Sequence, residues 1–104
     1  MSTETQLPYI DALAQKIWTE TEGAGVPDRQ SYPLYRMYAV LALVRGEETS
    51  NENVHDAWSA WQAGIGPNHP SLVPFDQLAP KIQDLDTLYR DAIRRVARSE
   101  KEER

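Results

Sequence analysis

The chain has 104 residues, a length that suits one domain with one modest core and little surplus stability. It carries eleven Lys and Arg against sixteen Asp and Glu, a net charge of −5, and its cations cluster only at Arg90, Arg94, Arg95 and Arg98, with acids interleaved. That balance argues against duplex nucleic acid or an anionic membrane as the main partner, because phosphate surfaces reward clustered cations. Cysteine is absent, so there is no disulfide and no thiolate metal site, which fits a reducing cytoplasm.

From the amino end, MSTETQLPYI has neither the positive flank nor the apolar run of a signal peptide. The spacing of Ile10, Leu13, Ala14, Ile17 and Trp18 predicts a helix from about Pro8 to Thr21, closed by Gly23, Gly25 and Pro27. A second helix is expected from Pro33 to Arg45. Its centre, MYAVLALV, carries no polar group but the Tyr38 hydroxyl, and a helix apolar on every side is usually buried on every side. It is read as the central helix, with a subunit interface as the other option.

Thr49 and Glu52 match a capping box opening the third helix, whose stripe is Val54, Ala57, Trp58 and Trp61 and whose end is at Gly64 and Gly66. A fourth helix is expected from about Pro80 to Arg98 on Ile82, Leu85, Leu88, Ala92, Ile93 and Val96. Asp86 is able to cap a fresh helix, which allows a break there. The charged tail from Ser99 to Arg104 is expected to fray.

Between the third and fourth helices lies GPNHPSLVPF, residues 66–75. Pro70 and Pro74 fix two backbone angles and bias Asn68 to Val73 toward extended geometry. Leu72, Val73 and Phe75 are the kind of side chain that belongs in a core. The segment is therefore read as a stiff strap with its apolar residues in the groove between its neighbours. The fold class that results is all-α: four helices with an extended Pro-rich strap between the third and fourth. The division is an N-terminal helix pair over 7–46, a second half over 49–98 and the tail over 99–104.

ENVHDAW (52–58) followed by HPSLVPFDQLAP (69–80) resembles the ryanodine receptor repeat domain, over residues 50–97. His55 and Trp58 match a His-x-x-Trp pair; His69, Pro70, Leu72, Val73, Pro74 and Phe75 match a His-Pro-x-Leu-Val-Pro-aromatic strap. Asp76, Leu78 and Pro80 lie near the acidic turn, with Pro80 one place late. LYRMYAVLAL, in the first half, looks like small single-copy phage proteins of this type. The resemblance implies a module that binds a nucleotide or a nucleotide-derived signal in the host cytoplasm, at Trp58, Trp61, His69, Arg90 and Arg94. It also implies a homodimer in place of the tandem repeats. The chain departs from the family where a Gly-Trp-x-Tyr-Gly segment and basic residues would precede the His-Pro. No Lys or Arg lies between Arg45 and Lys81, so a phosphate would need cations folded in from elsewhere.

The chemistry-bearing residues point away from an enzyme. His55 and His69 are the only histidines, and the reading preferred for them is a structural hydrogen bond pinning the strap to the third helix. A His69–Ser71 pair has no acidic partner to orient it. Asp84, Asp86 and Asp91 lack the spacing and central glycine of a calcium loop, and no phosphate-binding glycine motif is present. No cofactor and no metal are expected. The competing function is a protein-interaction module acting on a host or viral protein through exposed aromatics, for which Tyr32, Tyr35 and Trp61 are the candidates.

Overall fold

In the computed structural model, which describes residues 7–23 and 25–103, the chain is all-α, with no strand among those residues. Residues 1–6, within the stretch expected not to be a signal peptide, and Arg104 of the expected tail lie outside the described residues. The four long helices are α1 (Tyr9–Glu22), α2 (Tyr32–Val44), α3 (Asn51–Ala63) and α5 (Thr87–Glu102). A single turn, α4 (Pro80–Gln83), leads into α5 through a 3-10 turn at Asp84–Asp86, so the break at Asp86 is real.

The core forms where the apolar stripes meet. Leu13, Ala14 and Ile17 of α1, Tyr38, Ala39 and Ala42 of α2, Val54 of α3, and Ala92, Ile93 and Val96 of α5 are buried together. The alanines let α2 lie close to its neighbours, and each fully buried aliphatic side chain contributes about 1.5–3 kcal/mol. α2 is the central helix, packed on α1, α3 and α5. It is not buried all round, as its sequence suggested: Val40, Leu43 and Val44 stand exposed at 45%, 42% and 69%. Three packed neighbours leave one side of a helix open, and this side faces outward.

The helix ends follow local chemistry. Gly23 closes α1 at φ 91°, a left-handed angle that glycine adopts without strain. Ser31 precedes α2, and its N–H is taken by the Asp28 carboxylate at 2.8 Å. The cap of α3 differs from the Thr49–Glu52 pair expected. Ser50 and Asn53 form the reciprocal box, at 3.1 and 3.0 Å. Thr49 is already committed. It is fully buried, its hydroxyl donates to the Gly46 carbonyl at 2.7 Å, and its own carbonyl accepts from Arg94 Nε at 2.8 Å.

α5 runs past Arg98 to Glu102, so residues 99–102 of the expected frayed tail are helical. The interleaved charges hold it down. Arg95 pairs with Glu20, Arg98 with Glu47, and Lys16 with Glu100, which ties α5 to α1 and to the turn before α3. Each exposed pair contributes little alone, about 0.2–1 kcal/mol.

The strap departs most from expectation. Its backbone winds through consecutive turns, closed by His69 N–H to the Gly66 carbonyl, Leu72 N–H to the His69 carbonyl and Gln77 N–H to the Pro74 carbonyl. Leu72, Val73 and Phe75 are only partly buried and do not join the core cluster. The strap is held instead by hydrogen bonds to its own carbonyls. His55 Nε2 donates to the Val73 carbonyl at 2.7 Å, and Gln83 Nε2 donates to the Phe75 carbonyl at 2.8 Å. The prolines set the chain direction, and two side chains from α3 and α4 fix where it lies.

His55→Leu keeps the bulk of the side chain and removes the donor. The expected outcome is a loss of about 1–3 kcal/mol and faster proteolysis between residues 66 and 74. Unchanged cleavage of that segment would show that the bond does not hold the strap.

Candidate functional site

The strap, α3 and the α4–α5 break face α1 and α2 across an open cleft of ≈ 700 Å³. One wall is Trp18 of α1 with Leu34, Tyr35 and Tyr38 of α2. The opposite wall is Trp58 and Trp61 of α3 with His69 and Ser71 of the strap. The third side is Leu78, Ile82, Leu85, Leu88 and Tyr89. All three tryptophans of the chain line it.

The aromatic rings are fixed by one another. Trp18 meets Tyr35 edge-on at 5.1 Å, Tyr35 meets Tyr38 at 5.1 Å, and Tyr38 lies 5.8 Å from Tyr89. On the other wall His55 stacks on Trp58 at 5.7 Å, and His69 meets Trp58 edge-on at 5.0 Å. Such pairs add about 0.5–1.5 kcal/mol beyond burial and limit ring motion. Trp61 is set by its Nε1–H, which donates to the Gln30 carbonyl at 2.9 Å. Tyr35 is fixed by a 3.0 Å bond between its hydroxyl and that of Thr21.

The polar groups in the cleft include two serines, two histidines, three tyrosines and two carboxylates. Glu22 and Asp86 are in its lining, and none of the lining side chains described is Lys or Arg. The Asp86 carboxylate is half-buried among His55, Tyr38 and Tyr89, with no hydrogen bond or ion pair among the described residues. Burial pushes its pKa up to about 6, and the nearby His55 acts in the opposite direction. Burial also raises the Tyr35 hydroxyl to about 12 and raises Tyr38 and Tyr89.

Of the residues singled out in the sequence, Trp58, Trp61 and His69 come together here. Arg90 and Arg94 do not. Arg90 pairs with its neighbour Asp91 at 2.9 Å, and Arg94 is spent on the Thr49 carbonyl. Both are on α5, but their partners draw them out of the cleft. Tyr35, named as an exposed anchor, is 3% exposed, while Tyr32 is half-buried with its ring under Arg36 at 5.0 Å.

Glu22, Asp86, Trp18, Tyr38, Tyr89, Leu85 and Leu88 were not assigned to a site from sequence. The signal available was the stripe of α4 and α5: Leu85 and Leu88 continue it but are 64% and 50% exposed. The core ends before they do.

Catalytic arrangements are poorly served. His69 Nδ1 accepts the backbone N–H of Ser71 at 3.0 Å, so that nitrogen is not activating the Ser71 hydroxyl. His55 is 4% exposed, with Nε2 committed to the strap and the Ser59 hydroxyl 3.3 Å away. Among the described residues no three His, Asp or Glu side chains gather to hold a metal ion. A second hollow, ≈ 560 Å³, lies beside Arg45, Glu47, Glu100 and Lys101, and its charges are mixed in sign.

A carboxyl whose pKa is raised on folding binds its proton more tightly in the native state. Stability therefore falls as pH rises from about 4 to about 6 and stays lower above that. Asp86→Asn removes the loss. Allowing for solvent screening of a half-exposed group, it is expected to stabilise the protein by about 1 kcal/mol near pH 7.5, with the gain shrinking toward zero near pH 4. Thermal unfolding of both proteins at the two pH values checks this; a gain equal at both, or a loss at the higher one, would contradict it.

The family comparison corrects the resemblance drawn from the strap. No ryanodine receptor repeat is found over residues 50–97; a different family model covers that segment and most of the first half as well. The phage kinship, drawn from LYRMYAVLAL in the first half, has no support in the comparison either. No curated protein and no solved structure matches the chain. The matching model is that of a domain of unknown function, DUF7701, over residues 8–98, which takes in α1, α2, α3, the strap and most of α5, and the chain belongs to that family.

Proposed function

We propose that this domain binds a small molecule in the aromatic cleft and does no chemistry on it. The observation that carries the proposal is the cleft itself: ≈ 700 Å³ walled by tryptophan and tyrosine, with polar groups in its lining. Ligand sites commonly have that size and make-up. Leu85 and Leu88 add a second reason, since large apolar side chains left in water at a cleft mouth gain most from being covered.

A planar apolar body would stack on Trp58 and Trp61. The base of a nucleoside meets that description, but a phosphate does not suit a lining that holds Glu22 and Asp86 and no Lys or Arg. The nucleotide reading thus narrows to its base. The absence of cysteine suits a reducing compartment, and the proposal places the protein in the cytoplasm.

The test is a fragment screen of the folded protein read on the three indole N–H signals. Ligands are expected to shift Trp58 and Trp61, and adenosine to bind at least as well as ATP. Leu85→Glu changes an exposed residue, so stability should move by no more than about 0.5 kcal/mol while binding is lost. If no compound in a diverse set shifts an indole signal, or if ATP binds far more tightly than adenosine, the reading is wrong.

Protein interaction is the second reading, favoured by the exposed edge of α2. Val40, Leu43 and Val44 form an apolar stripe beside a shallow groove lined by Met37, Val40, Leu41 and Ala57, with Asn53 and Asp56. An uncharged stripe is self-complementary across a two-fold axis, so a second copy of this chain is the proposed occupant. Sedimentation should then give a dimer that Val44→Lys dissociates; a monomer at high concentration would remove this reading.

A further inference from the structure

We infer that the cleft is built for a ligand carrying a positive charge on a planar or apolar body, an organic ammonium or amidinium, with Asp86 as its counter-ion. The inference rests on the cleft being a ligand site, and it names the class of ligand.

Three features converge on it. The first is the carboxylate. Asp86 reaches the cleft from the 3-10 turn that breaks the last helix, is half-buried, and has no hydrogen bond or ion pair among the described residues. A carboxylate taken partly out of water with no hydrogen-bond donor from the protein carries its charge at a cost, which a cationic ligand would offset. It does not serve its own helix: Asp86 is the N-cap of α5, yet its side chain makes no capping bond.

The second is the aromatic lining beside it: Tyr89, Trp58 and Trp61 are partly exposed and share the cleft with Asp86 and Glu22. Aromatic faces attract cations, and a carboxylate in the same cleft adds to that attraction. The third is what is missing from the lining. The arginines of α5 are turned away onto Asp91, Thr49, Glu20 and Glu47, which leaves the field inside the cleft negative. The Asp86 pKa of about 6 leaves the group mostly ionised at neutral pH, so the charge is there to be met.

The shape divides the ligand's ends. The charged end would lie against Asp86 and Tyr89. The apolar body would cover Leu85 and Leu88 and stack on Trp58 and Trp61.

The experiment compares three molecules of one shape and different charge: benzamidine, benzamide and benzoate. Each is titrated into the isotopically labelled full chain, and the indole and Asp86 backbone signals are followed. Benzamidine is expected to bind about tenfold more tightly than benzamide, the gain of one desolvated cation–ring or ion-pair contact, and benzoate more weakly than either. Asp86→Asn should remove the preference for benzamidine and leave benzamide unchanged; Glu22→Gln, at an exposed helix end, should reduce it in part. If benzamide or benzoate binds as well as benzamidine, or if Asp86→Asn keeps the preference, the inference on charge fails while the cleft remains a ligand site. If none of the three perturbs Trp58, Trp61 or Asp86, both readings fall together.

Discussion

One buried hydrogen bond places the rest. His55 sits on α3 almost wholly out of water and gives its Nε2 proton to the carbonyl of Val73. The connection it grips has no regular structure of its own beyond a few turns and puts no residue into the core cluster. Leu72, Val73 and Phe75 are only partly buried, so hydrophobic burial fixes its position weakly. A donor at a set height on α3 adds a directional constraint, and with Gln83 holding the Phe75 carbonyl the segment is tied at two neighbouring points. The wall of the cleft that carries His69 and Ser71 is where it is because of those two bonds.

The same residue links fold to site. The ring that grips the strap also stacks on Trp58, tilts against Phe75 and stands near Asp86. Asn51 does related work at the other side of the break. Its amide donates at 3.0 Å both to the Gln83 carbonyl, beside the break, and to the Thr87 hydroxyl at the start of α5. α3 thus anchors both the strap and the break, while the packed stripes of α1, α2 and α5 supply the stability. That division leaves a cleft lined partly by core side chains, Leu34, Tyr35 and Tyr38, and partly by side chains the core did not take up.

The helices were legible in the sequence because their signals are local. Leu13 and Ile17 mark the buried face of α1, Gly23 stops it, and Asp86 marks the break. The cap of α3 was not legible, because Thr49 matched the motif but was already used by Gly46 and Arg94, partners set by tertiary packing. The strap was legible as a connection and not as a source of core residues, since Leu72 and Phe75 look the same in sequence whether they end up buried or half-covered. Trp58, Trp61 and His69, singled out through the resemblance, share the cleft because they lie near one another along α3 and the strap. Glu22, Tyr38 and Asp86 come from three separate helical segments, and only folding brings them to one place. The arginines misled for the same reason: the sequence shows a cation, and only the structure shows which oxygen it has been spent on.

The His55 ring, in one tautomer, fastens the strap. Two-dimensional nitrogen–proton spectra that resolve the two ring nitrogens of His55 test this directly. The expected result is the Nε2–H tautomer at neutral pH, with a ring proton that exchanges slowly with water and a detectable proximity to the Val73 backbone. A ring protonated at Nδ1 alone, or one whose Nε2 proton exchanges as fast as that of a surface histidine, would contradict it.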